Sequence, residues 1–222
     1  MKEKVTKEEL RWILEDFYFQ ILEIALCLDS LYALREIGNE KMKIANIFFF
    51  VTQRALIFRY SLELNKVIND SDEKSMSIYA ICNICNQNIE YFNTFENDVK
   101  KLCQDVKTEL KKYKNLSENL RFRRKKTYAH NDKEFYYFSK EAIEDFPLDD
   151  KEINQLVNVL YKFALELNIK INSRFIHEGY PRNSDDVKKL FNMPTNDEKN
   201  KELYELEWKK ILDVWSRGDK HD

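Results

Sequence analysis

Glycine and proline are scarce in this chain of 222 residues, with three of each. Tight turns draw on glycine for positive φ and on proline for a preset φ, so a fold of many short strands is excluded. The composition that remains, rich in Leu, Ile, Lys and Glu, suits long helices and predicts an all-α protein. Long hydrophobic runs are missing too. The longest, IANIFFFV at 44–51, is far short of a bilayer span and soon meets Gln53 and Arg54. The opening MKEKVTKEELRW is charged and lacks the apolar stretch of a secretion signal. A cytoplasmic address, with no membrane as partner, is therefore expected. Net charge is only −2, which excludes a generic polyanion binder and leaves nucleic-acid affinity to a local patch.

Cysteine and histidine are few. Cys82 and Cys85 form a CxxC, but no second CxxC exists and no histidine lies near, so a zinc site lacks its other ligands. Three apart on a helix, the two share a face, and with Cys27 and Cys103 they read as core thiols of a reducing compartment. His177 stands beside Gly179 in a turn-rich stretch, and His221 belongs to the terminal tail. There is no glycine-rich phosphate loop, no paired-carboxylate metal pattern and no serine-hydrolase motif, so neither metal nor cofactor is expected.

What is present is helical periodicity. Thr6 and Glu9 have the spacing of a capping box. After them Leu10, Leu14, Phe17, Ile21, Ile24, Leu28 and Leu31 recur at alternating steps of four and three, the seam of a helix that packs on a neighbour, with Gly38 as its stop. A second helix over about 41–68 is so apolar that it is expected at the centre of an up-and-down bundle, antiparallel to the first. Further helices are predicted over about 75–92 and 94–114, and a short one opens at an Asn115–Glu118 capping box. Asp149 or Asp150 caps a helix to about 175, with Ile153, Leu156, Val159, Leu160, Phe163, Leu167 and Ile171 inward. HEGYPRNS at 177–184 marks a boundary, which divides a bundle over 1–175 from a helical extension over 176–222. The extension carries Trp208 and Trp215 on one face.

The sharpest local feature is RFRRKK at 121–126, five basic residues in six, followed by His130. Basic residues at a helix C-terminus complement the macrodipole without any ligand. Histidine, however, transfers protons near neutral pH, and arginine grips phosphate oxygens bidentately. On a continuous helix Arg123 shares a face with His130, whereas Arg124 is displaced by about 120°. Tyr128, Phe135, Tyr136 and Tyr137 could stack on bases, though such spacing more often serves a core.

LRFRRKKTYAHNDKEFY at 120–136 resembles the R-x(4–6)-H signature of HEPN domains, helical bundles of prokaryotic defence, toxin–antitoxin and CRISPR systems. The AHND-K ending and FPLDDKEINQLVNVL at 146–160 are similar to the AbiU-type abortive-infection branch. The resemblance implies a metal-independent endoribonuclease that acts as a homodimer, its two motifs meeting across the interface. Matched residue by residue, Arg124 is the family arginine, Arg123 lies inside the permitted window, and His130 is the histidine. Lys125 departs from the smaller polar residue preferred there. Asp132 stands where one branch has a nucleotidylated tyrosine. Arg121, Lys125 and Lys126 are the expected RNA contacts, and a cognate antitoxin is a further expected partner. The alternatives are a non-catalytic HEPN-like module that binds RNA or protein, and an adaptor using the Trp208/Trp215 face.

Overall fold

The reciprocal cap forms as expected. Glu9 N donates to Thr6 Oγ1 at 3.2 Å while Thr6 N donates back to Glu9 Oε2 at 2.7 Å. The computed structural model describes residues 5–37, 46–70, 75–125 and 146–172, and among them no strand occurs. Six α-helices order these residues: α1 (Lys7–Ile37), α2 (Asn46–Asn69), α3 (Ile78–Gln87), α4 (Glu96–Leu110), α5 (Lys114–Arg123) and α6 (Asp150–Asn172). Every residue of the α1 seam from Leu10 to Leu31 is buried.

Side-chain contacts fix the directions. Arg59 NH2 reaches Glu23 at 2.8 Å and Gln20 Nε2 reaches Glu63 at 3.2 Å, so α2 runs antiparallel to α1. On α1's other flank the hydroxyls of Tyr18 and Tyr161 meet, and Asn168 Nδ2 donates to the Leu14 carbonyl at 2.8 Å. With Arg35 on Asp150 at 2.6 Å, α6 is antiparallel as well. The α1 helix is long and apolar enough to cross a membrane, but its buried seam lies between α2 and α6, the role of a core helix. A fully buried Leu, Ile or Phe contributes roughly 1.5–3 kcal/mol, so this seam dominates the stability of the bundle.

Three expectations need correction. The helix over 75–92 is shorter: Ser77 caps α3, which ends at Gln87, and Ile89–Phe95 is a 3-10 segment kinked at Asn93 (φ 50°, ψ −119°). Among the described residues Asn93 alone has a positive φ, and its ψ lies outside the left-handed helical basin that asparagine favours. The Asn115–Glu118 capping box does not form. A 3-10 turn over Lys111–Tyr113 carries α4 into α5, the residue before α5 is Tyr113 with no side-chain cap, and Asn115 lies inside the helix. Local cap propensity lost to helix continuity. The third correction concerns α2. Its most apolar half is not central: Ile47, Phe48, Phe50, Val51 and Phe58 are all exposed, and the core instead takes Tyr60, Leu64, Val67 and Ile68. The described contacts of α2 with α3 and α5 engage that second half.

Asp149, not Asp150, caps α6, its Oδ1 accepting from Glu152 N at 2.8 Å. Cys82, Cys85 and Cys103 are buried as free thiols, and Cys27 is half-buried. Gly38, the residues after Asn172 and both tryptophans of the extension lie outside the described residues.

Candidate nucleic-acid interface

Leu116 and Leu120 are buried, which turns the opposite face of α5 outward. Three side chains near the end of α5 clamp the approach to α6. Asn119 Nδ2 donates to the Pro147 carbonyl at 2.7 Å, Phe122 stacks on Phe146 at 5.0 Å, and Arg123 Nε donates to the Phe146 carbonyl at 2.7 Å. Arg123 is thus committed to a backbone contact.

Its neighbours are not. Arg124 keeps helical geometry (φ −56°, ψ −51°), its N–H directed at the carbonyls of Leu120 and Arg121. The backbone widens to a π-helical turn at Arg124 and Lys125. Among the described residues the side chains of the half-buried Arg124 and the exposed Lys125 make no hydrogen bond or ion pair. Arg121 is exposed, with its guanidinium 5.6 Å from the Phe122 ring centroid. A guanidinium fork with five donors and no acceptor offers bidentate grip to an anion, phosphate above all. Lys126 and His130 lie outside the described residues, as do Tyr128, Phe135, Tyr136 and Tyr137. The structure therefore brings together Arg121, Arg123, Arg124 and Lys125.

This end of α5 has a definite place in the bundle. It sits beside Phe146, four residues before α6 begins at Asp150, and Asp150 pairs with Arg35 near the C-terminus of α1. The start of α5 is tied to the C-terminal end of α2, where Asn69 Nδ2 donates to the Ser117 carbonyl at 2.9 Å, whereas the exposed apolar residues lie in the first half of α2.

Two cations escaped notice in the sequence, Lys111 and Lys114. Both are exposed and continue the stripe of Arg121 and Lys125 at steps of three, seven and four. That spacing becomes visible in the sequence once the false helix start at Asn115 is removed.

The buried thiols gather around Cys103, whose own thiol is pushed down by hydrogen bonds with Cys82 and Cys85. Among the described residues no group of three or more His, Cys, Asp or Glu could hold a metal ion. Cys82 Sγ donates to the Cys103 carbonyl at 3.8 Å. Hydrogen bonding to Cys103 and then burial push the Cys82 and Cys85 thiols up, so both stay neutral and unreactive at physiological pH.

The model of the HEPN AbiU2 family matches residues 7–190, most of the chain. The chain belongs to the HEPN AbiU2 family. Neither a curated protein nor a solved structure matches it. The HEPN AbiU2 match runs through all six described helices and includes both Arg124 and His130. It makes the chain an abortive-infection-associated HEPN domain with the all-α bundle that the resemblance implied.

Proposed function

We propose that this HEPN AbiU2 domain is a metal-independent endoribonuclease of phage defence or of a toxin–antitoxin pair, acting in the cytoplasm as a homodimer. The observation that carries this reading is Arg124. It is a cation with no partner among the described residues, flanked by Arg121 and Lys125 and five intervening residues before His130. The commitment of Arg123 to the Phe146 carbonyl supports ranking Arg124 first.

The chemistry follows from the residue types. One histidine takes the proton from a ribose 2′-OH as that oxygen attacks the adjacent phosphorus. A second histidine gives a proton to the departing 5′-oxygen, leaving a 2′,3′-cyclic phosphate and a 5′-OH. Arginine neutralises the charge that builds on the phosphorane between these events. A single protomer has one such histidine, so a two-fold partner would supply the other.

The exposed half of α2 supports a second copy as that partner. Ile47, Phe48, Phe50 and Val51 are 53–75% exposed. Together they present roughly 500 Å² per copy, so a two-fold pair buries on the order of 1,000 Å², the threshold of a specific interface. A cognate antitoxin would then be a further partner that restrains the dimer.

The test is cleavage of mixed cellular RNA in EDTA, with the ends of the products mapped. Products with 5′-OH and 2′,3′-cyclic phosphate ends are expected. His130→Ala should lose roughly 10²–10⁴-fold in rate while RNA affinity stays, because it removes a proton-transfer group. Arg124→Ala should weaken cleavage and binding together. A larger activity loss from Arg123→Ala, in a variant that remains folded, would reverse the ranking. Equal inertness of wild type and His130→Ala, with RNA still bound, would replace the enzyme by a binding module, a role to which Lys125 is well suited.

A further inference from the structure

Where α4 passes into α5, a cleft of about 210 Å³ opens between the two elements and the end of α2. Ile68 and Leu110 contribute apolar lining, Tyr79 and Tyr113 two aromatic rings, and Lys111 and Lys114 two cations. The volume is below the roughly 300–1,000 Å³ of pockets that enclose drug-sized molecules and cofactors. It suits one planar heterocycle. Tyr79 lies off the buried stripe of Ile78, Ile81, Cys82 and Cys85 and is 45% exposed, so its ring is open to a ligand.

The charges around this cleft are unevenly matched. Glu109 is held by Lys112 at 2.6 Å, whereas Lys111 has no ion pair among the described residues. Lys114 touches Glu118 only at 4.0 Å between exposed side chains, a contact of little strength that a phosphate can displace. From Lys114 the cationic stripe runs through Arg121 and Lys125 on one face, and ten residues of helix place Arg124 about 15 Å away. A cationic track that ends at an exposed aromatic ring, here Tyr79 beside the half-buried Tyr113, is how single-stranded nucleic acid is held: phosphates follow the cations and a base stacks on the ring.

We infer that the Tyr79–Tyr113 cleft receives one base of a single-stranded RNA whose phosphates pass along Lys111, Lys114, Arg121 and Lys125 toward Arg124. The inference rests on the RNA reading above and extends it to a second subsite, a few nucleotides from the reacting phosphate. Duplex RNA cannot use this subsite, since its bases are stacked and paired.

Fluorescence anisotropy with a labelled single-stranded oligoribonucleotide, on the full chain, tests it. Tyr79→Ala should lower affinity by on the order of 10-fold or more, the loss expected for one stacked base. Tyr79→Phe should restore the affinity, because the ring remains. Lys111→Ala should flatten the salt slope by about 0.7, as for one lost contact to single-stranded phosphate. The exposed Lys162 on α6 is the control, and Lys162→Ala should leave both quantities unchanged. A blunt-ended duplex RNA should bind wild type and Tyr79→Ala alike. Unchanged single-strand affinity for Tyr79→Ala, beside weakened binding by Arg124→Ala, overturns the cleft and leaves the RNA reading standing. If wild type binds neither RNA, the RNA reading falls and the inference with it.

Discussion

The two halves of α2 have opposite fates. Ile47–Arg59 holds the most apolar run of the chain, yet none of its residues is fully buried. Tyr60–Asn69 is interrupted by Ser61, Glu63, Asn65 and Lys66, yet Tyr60, Leu64, Val67 and Ile68 lie in the core. Apolar content alone therefore ranks the halves in the wrong order. Burial depends on what surrounds a helix. The second half meets α1, and its end reaches α5 through Asn69, which donates to the Ser117 carbonyl at 2.9 Å. An apolar face without such neighbours is a surface available for another molecule.

The largest effect separating the halves is expected at Leu64, fully buried in the core cluster. Leu64→Ala should cost about 2–5 kcal/mol of unfolding free energy, lost methylene burial plus a cavity. The readout is the urea midpoint at constant m-value. A loss below about 1 kcal/mol would mean that the second half is no more a core element than the first.

The second effect is smaller in folding and appears mainly in association. Phe50→Ser with Val51→Ser should change the stability of the isolated protomer by about 0.5 kcal/mol per site or less, as for exposed positions. The same pair should weaken self-association by at least about 10-fold, read by sedimentation over a concentration series. Destabilisation as large as that of Leu64→Ala would break the comparison, because these side chains would then pack within the protomer.

The sequence was most legible where one local rule acted alone. The α1 seam and the Thr6–Glu9 box follow from spacing, and spacing survives any choice of neighbours. The Asn115–Glu118 box was misread because the same residues also suit a helix interior, and the preceding 3-10 turn kept the chain helical. The α2 error has a different origin, since the sequence of one helix does not reveal which of its faces find partners. At the basic end the cluster itself was plain. That Arg123 holds the Phe146 carbonyl while Arg124 finds no described partner depends on a segment 23 residues further along. No pattern local to RFRRKK carries that distinction.

The smallest effect lies in the buried half of α2 and is a matter of pH. Glu63 is nearly buried, and desolvation alone would raise its pKa. Hydrogen bonds from Lys66 Nζ at 2.9 Å and Gln20 Nε2 at 3.2 Å, with Arg59 at 3.4 Å, outweigh that penalty and leave the carboxyl below its ordinary value. A carboxyl whose pKa is lower folded than unfolded binds fewer protons in the native state across the window between the two values. Its contribution is therefore complete above the ordinary glutamate pKa of about 4.3 and fades as pH falls through the folded value. Glu63→Gln keeps the shape and removes the titration. The stability gap between wild type and this variant should be widest near pH 7 and should narrow steadily as the pH is lowered from about 4.3 toward about 3, measured by urea midpoints at constant ionic strength. A gap that stays constant over that range would show that the Lys66 and Gln20 contacts do not depend on the carboxylate charge. The buried half of α2 would then draw no pH-dependent stability from Glu63.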